Sequence, residues 1–423
     1  MKNLLKACLL VIVLALGTGE AIGQFGWTQD ARNPILSIGG IGAWNEIVFS
    51  PCVLFNADSS RYEMWFVATS GAPWRPCSIG FASSKDGVRW NMEPLPVLSP
   101  TPGTWDAYTV EAPMVIRDSA QYKMWYSSFY PIDPLYPGYI GYATSPDGIH
   151  WTKYAGNPVL GLGTAAWEVA GPYSCDVKKV PGGYRMWYAA CDSTANGAGM
   201  GYATSSDGTT WQRDTVHNPL MKRGLPGEWD SLYVYDPQVL GFGATLYMWY
   251  TGGRGDFVPS VGVATSTDSG LTWTKDPSNP VLSPSAWTWN STGVELGTVL
   301  QRGDTLDLWY DGSSSRIGHA TSLVTTGVAD RKRIVPIEFN LAQNYPNPFN
   351  PATTIKFELP RASHVALTVY DVLGRQVSVL VNERRNAGVY EVKFDGSNLA
   401  SGVYFYRIQA GDYVATKKLV LMK

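Results

Sequence analysis

Five prolines set the period of this chain. Pro34, Pro96, Pro158, Pro219 and Pro280 are separated by 62, 62, 61 and 61 residues, and the residues around them recur in one order. Tyr122-Lys123-Met124-Trp125-Tyr126 leads to Ile140-Gly141-Tyr142-Ala143-Thr144-Ser145-Pro146-Asp147-Gly148, then to Trp151 and Asn157-Pro158. Copies begin also at Tyr62, Tyr184 and Tyr247, and a fifth, from Leu306-Asp307-Leu308-Trp309-Tyr310, stops at Ser322. A constant period means one supersecondary unit stacked on itself.

The unit reads as strands. Tyr122, Met124 and Tyr126 fall on one face of an extended segment, Lys123 and Trp125 on the other. Aromatic residues suit a pleated surface packed on both sides, and Asp-Gly makes the turn into the last strand. Four short strands in about 60 residues, repeated around an axis, form a β-propeller blade. The chain is therefore expected to be all-β, a five-bladed β-propeller over residues 24–323. A propeller must close or leave a sheet edge open. The fifth copy lacks its Asp-Gly turn, Trp and Asn-Pro, and the N-terminus supplies Trp27 and Asn33-Pro34 at the same seven-residue spacing as Trp151 to Pro158. The first strand is thus expected to complete the last blade.

Residues 1–23 read as a secretory signal, with Lys2 and Lys6, an apolar run from Ala7 to Leu16, and Ala21-Ile22-Gly23 before Gln24. No later stretch has the length and apolarity of a membrane span. Cys52, Cys77, Cys175 and Cys191 follow. In an exported chain they pair, Cys52 with Cys77 and Cys175 with Cys191 being the local choices, or stay as buried thiols. A net charge of -2 carries no electrostatic footprint for nucleic acid.

After a linker at 324–340, residues 341–423 change character. Asn344-Tyr345-Pro346-Asn347-Pro348-Phe349-Asn350-Pro351 precedes six alternating strands separated by turn residues, the pattern of a small immunoglobulin-like β-sandwich. With Val369-Tyr370-Asp371-Val372-Leu373-Gly374-Arg375, Ser401-Gly402-Val403-Tyr404-Phe405-Tyr406 and the closing Lys417 to Lys423, this region resembles the C-terminal sorting domain of the type IX secretion system. The resemblance implies the secretion machinery as a partner, passage through the periplasm, and a final place on the outer-membrane surface or in the medium.

The repeat of Met-Trp-Tyr, Gly-Tyr-Ala-Thr-Ser, Asp-Gly and Trp resembles the five-bladed glycoside hydrolase superfamily, which includes arabinanases, β-xylosidases, invertase-like enzymes and mannoside phosphorylases. Ser266-Thr267-Asp268-Ser269-Gly270-Leu271-Thr272-Trp273 is similar to the Asp-box of sialidases, a structural turn. The resemblance implies a glycan as partner and three acids at the central channel. Enzymes of that superfamily carry the acids on blades one, three and four.

Repetition separates scaffold from site, because glycoside cleavage needs one acid and one base or nucleophile, not five of each. Asp86, Asp147, Asp207 and Asp268 repeat and belong to turns. The innermost strands differ: Phe49-Ser50-Pro51, Glu111-Ala112-Pro113, Tyr173-Ser174-Cys175, Tyr235-Asp236-Pro237 and Val294-Glu295-Leu296-Gly297. The candidate catalytic acids are Glu111, Asp236 and Glu295, on blades two, four and five, with Glu111 as base and Asp236 or Glu295 as acid. Asp236 stands one residue out of register, which points it to the opposite side unless a bulge restores it.

Candidate substrate-binding residues are Trp74, Arg75, Tyr130 and Arg254 on rim loops, Tyr173 on an inner strand, and Asp106 and Asp230 after the Trp of each nearly repeated Trp-acid pair. Asp311 with Arg316 is expected on the same rim. Aromatic and charged groups around a concave mouth suit a sugar. His150, His217, His319 and His364 show no ligand spacing, so neither metal nor cofactor is expected, and a monomer is. Two functions stay open: an exported glycosidase-like hydrolase, and a non-catalytic surface propeller that binds glycan or protein.

Overall fold

A computed structural model describes residues 25–71, 76–129, 137–194, 196–255, 258–285, 289–312, 316–324, 339–386 and 388–423. The signal-like segment 1–23, most of the linker, and the rim residues Trp74, Arg75 and Tyr130 lie outside them. Apart from one turn of 3-10 helix at Ala166–Glu168, the regular elements among the described residues are strands.

The repeats form five antiparallel sheets. Their first strands are Ile47–Asn56, Glu111–Asp118, Gly171–Val180, Tyr233–Phe242 and Glu295–Arg302. Each lies beside the first strand of the next sheet, and the fifth lies beside the first. The result is a closed ring with these strands innermost. The Met-Trp-Tyr segments form the second strands and are buried on both faces, since each is covered by a neighbouring sheet. Trp65, Trp125, Trp249 and Trp309 have no exposed surface.

The ring is closed by the chain's beginning, as the truncated fifth repeat requires. Thr28–Gln29 pairs antiparallel with Ile317–Leu323. The Asn33 side chain then receives the His319 amide at 2.8 Å and donates to its carbonyl at 2.9 Å. Asn157, Asn218 and Asn279 grip Tyr142, Tyr202 and Val263 in the same way. This two-point clasp of the third strand is why Asn-Pro recurs in four of the five repeats; the remaining one has Leu95-Pro96.

Four of the five junctions between neighbouring sheets are stitched by one indole bond each. The Nε1–H of Trp65, Trp125, Trp187 and Trp309 donates to the carbonyl of Gly148, Gly208, Gly270 and Gly87, the turn glycine of the following sheet. Asp147 and its equivalents hold those turns by accepting two backbone amides each. The series breaks at Trp249, whose Nε1 has no hydrogen-bond partner among the described residues. The fifth copy has no Asp-Gly turn to receive it. Phe25 packs edge-on against Trp249 instead, with ring centroids 5.2 Å apart.

The four cysteines are free and buried, so neither local disulfide forms. The tail is two sheets, one of three and one of four strands, around a core of its own that includes Phe349, Phe357, Tyr406 and Leu419. Its Asn-Pro motif straps the last strand: the Val420 amide donates to Asn347 at 2.9 Å, and the Phe349 amide donates to the Val420 carbonyl at 2.9 Å.

Candidate active site

Every inner strand carries a bulge, opposite the Trp of the second strand in four sheets and slightly earlier, at Tyr173, in the third. The register slips between Phe49 and Cys52, Glu111 and Met114, Pro172 and Ser174, Tyr235 and Gln238, and Leu296 and Thr298. Bulges bend a strand and re-aim a side chain. Three of them hold a non-glycine residue in the left-handed region: Ser50 at φ 47°, Ala112 at 42° and Asp236 at 54°. The bulge that the register of Asp236 called for is present, and it turns that carboxyl toward its neighbours.

Glu111, Asp236 and Glu295 come together around Tyr173. Burial raises the Tyr173 phenol far above its ordinary range, and the charges of all three acids raise it further. Tyr235 is raised by burial, then by Glu295, Tyr233 and Asp236. Asp236 itself is pushed up to about 8, first by burial and then by the charge of Glu295, against hydrogen bonds from Ser174 and Thr251 that favour ionisation. Burial also raises Glu111, opposed by hydrogen bonds with Cys77 and Thr109. All three carboxyl residues keep partial solvent contact.

Beside them is a pocket of about 260 Å³, lined by Tyr173, Tyr233, Tyr235, Cys191, Pro259 and Glu295 among others. Its aromatic wall is continuous. Phe129 and Tyr173 have ring centroids 4.4 Å apart, Tyr173 and Tyr235 5.8 Å, and Tyr235 and Tyr233 4.9 Å. A partly apolar wall with the Glu295 carboxyl in it is the pairing that a sugar ring asks of a protein: stacking for its C–H face and an acceptor for its hydroxyls.

Two expected ligand contacts are corrected. Asp106 and Asp230 are each 1% exposed. Asp106 takes hydrogen bonds from Tyr126 at 3.1 Å and Lys153 at 2.5 Å, and Asp230 from Tyr250 at 3.1 Å and Lys275 at 2.6 Å. Glu168 does the same with Tyr188 and Arg213. These acids are struts between the second and fourth strands of a sheet and leave a ligand no surface. Arg254 is exposed on the loop after Thr245–Gly253.

Asp311 is not on the rim. It ends the strand Thr305–Asp311, has no exposed surface, stands opposite Glu295 in the ladder and accepts the Ser50 amide at 2.9 Å. Position-by-position comparison of the repeats points to it, since Asp311 stands where the others have Val67, Ser127, Ala189 and Thr251. His319 is buried against Asp307, at 2.9 Å, and over the ring of Trp309. His150 and His217 pair with Asp147 and Asp214 on exposed turns.

Comparison with known proteins gives three findings. Residues 343–422 match the secretion system C-terminal sorting domain, which marks the chain for export by type IX secretion, to the cell surface or the medium. The chain is 30% identical over 229 residues to the uncharacterized protein Rv1502 of Mycobacterium tuberculosis, a span of 52% of this chain and 72% of that one. Its fold is similar to several solved structures. One is from the GH130 family of mannoside phosphorylases, which contains glycoside hydrolases that target beta-1,2 mannosidic linkages in Candida mannan (TM-score 0.58, 18% identity, 70% of this chain and 94% of that one). A second is a glycosyl hydrolase from Bacteroides ovatus (0.57, 19%, 74% and 96%). A third is the beta-1,2-mannobiose phosphorylase of Listeria innocua (0.57, 15%, 71% and 97%). These likenesses show a propeller-type fold of the glycoside hydrolase kind.

Proposed function

Since this chain belongs to the same family as Rv1502 of Mycobacterium tuberculosis, and has the glycoside hydrolase fold with an export tail, we propose that it is a five-bladed β-propeller glycosidase, joined to an immunoglobulin-like sorting domain, that cleaves glycans outside the cell. The observation that carries this reading is Asp236. A carboxyl pushed up to about 8 by burial and by Glu295 is protonated at neutral pH, as a general acid must be.

In this reading Asp236 gives its proton to the glycosidic oxygen as the bond to the anomeric carbon breaks. Glu111 takes a proton from the water that attacks that carbon. The charge of Glu295 favours the protonated form of Asp236 and so keeps the acid's proton in place. Glu111 and Asp236 stand on different sheets, two and four, and a separation of about 6.5–9.5 Å between their carboxyls would leave room for that water and give inversion at the anomeric centre. Tyr173, Tyr233 and Tyr235 form the platform for the ring being cleaved.

The test uses the full chain on aryl glycosides and on β-mannosides and other oligosaccharides, with and without inorganic phosphate. Turnover is expected on at least one substrate, falling roughly 10²–10⁴-fold in Asp236→Asn and in Glu111→Gln. Binding of glycan with no turnover on any of them would leave the non-catalytic reading instead.

A further inference from the structure

Resting on the reading of Asp236 as the acid, we infer that Thr251 is the positioning residue that decides which of its two carboxyl oxygens carries the proton. Thr251 sits on the second strand of the fourth sheet, opposite Tyr235, with no exposed surface. Its Oγ1 lies 2.8 Å from the Leu296 amide nitrogen and 3.2 Å from Asp236 Oδ2. A hydroxyl has one proton to give. The amide can only donate, so Oγ1 accepts there, and its own proton goes to Oδ2. With Oδ2 occupied as an acceptor, the carboxyl proton resides on Oδ1.

The same hydroxyl ties the two acids together. Leu296 follows Glu295 in the chain, so one side chain links the backbone beside Glu295 to the carboxyl of Asp236. Ser174 holds the other side: its Oγ accepts the Asp236 amide at 2.9 Å, and its hydroxyl also hydrogen-bonds the Asp236 carboxyl. The repeat breaks here in a way that fits the role. Val67 and Ala189 have no hydrogen-bonding group at this position, Ser127 donates to the Glu111 carbonyl at 3.3 Å, and Asp311 accepts from Ser50. Among the five equivalents, Thr251 is the one whose hydroxyl donates to a carboxyl of the cluster.

The test is a ¹³C titration of the Asp236 carboxyl in the full chain, assigned by its disappearance in Asp236→Asn. Thr251→Val keeps the shape and removes the hydroxyl; Thr251→Ser keeps the hydroxyl. Loss of a hydrogen bond to the ionised form raises the midpoint, by about half to one pH unit in Thr251→Val, while Thr251→Ser titrates with the unaltered chain. Thr251→Cys, a weaker donor, gives a smaller rise of the same sign and serves if the valine variant does not fold. A valine or cysteine variant with an unmoved midpoint overturns the assignment. The acid reading is tested separately: an Asp236 titrating near about 4 in the unaltered chain removes the general acid, whereas the difference between variants reports on Thr251 whatever that midpoint is.

Discussion

Asp236 occupies a backbone conformation that few residues other than glycine adopt, and Asp is among the few that tolerate it. Placing an ionisable group there has a consequence for stability. The folded state holds its proton up to about pH 8, while the unfolded chain releases it at the ordinary carboxyl value of 3.8. Between those values the folded state binds the extra proton, so stability from this group is full below the lower pKa and is lost as pH rises through the upper one. Asparagine cannot ionise and escapes that loss. The melting temperature of Asp236→Asn relative to the unaltered chain is therefore expected to climb between pH 5 and pH 8 by roughly 5 °C, about 1.4 kcal/mol per pH unit, and to level off by pH 9. Melts at pH 5, 7 and 9 decide it, and a difference that stays flat means the carboxyl is not held protonated.

At the scale of the sheet, the repeating bond is the indole-to-glycine stitch, and the exception predicts where it matters. Trp309 donates to Gly87 across the junction of sheets five and one, at 2.8 Å, while Trp249 has no acceptor among the described residues. Both indoles are fully buried, so replacement by phenylalanine removes similar volume at each. Trp309→Phe also removes a hydrogen bond and leaves the Gly87 carbonyl without that donor. It should cost about 1 kcal/mol more than Trp249→Phe in denaturant unfolding; equal losses would mean that the stitch contributes nothing. These elements were legible beforehand because each is a short-range pattern: alternation, Asp-Gly turns and Asn-Pro at fixed spacing. The strut role of Asp106 and Asp230 is invisible in the sequence because their partners Lys153 and Lys275 lie 47 and 45 residues away. A Trp-acid pair looks the same whether its acid faces a ligand or a lysine. Thr251 was illegible for a related reason: its role arises from a bulge in one strand and an amide in the next sheet.

At the scale of the molecule, ring and tail are built on separate cores. The tail's core draws on Leu341 to Leu421 alone, and the ring's clusters draw on residues up to Val324. The ring also closes within itself, since the strand that completes the fifth sheet comes from Thr28–Gln29 and not from the tail. The closing strand could be read from the sequence, because truncation of the fifth copy, and the residues at the N-terminus that complete it, are visible without coordinates. How the inner acids meet could not, because five bulges turn strands whose periodicity alone would send Asp236 the other way. From the separation of cores a prediction follows for the tail. Deleting residues 343–422 removes the sorting domain but no side chain of the ring's core. The truncated chain should stay behind in the periplasm, as seen by cell fractionation, and should melt in the same transition as the ring of the full chain. Delivery of the truncated chain to the surface would mean that the address lies elsewhere. A collapse of the ring's melting transition would mean that the tail holds it together after all.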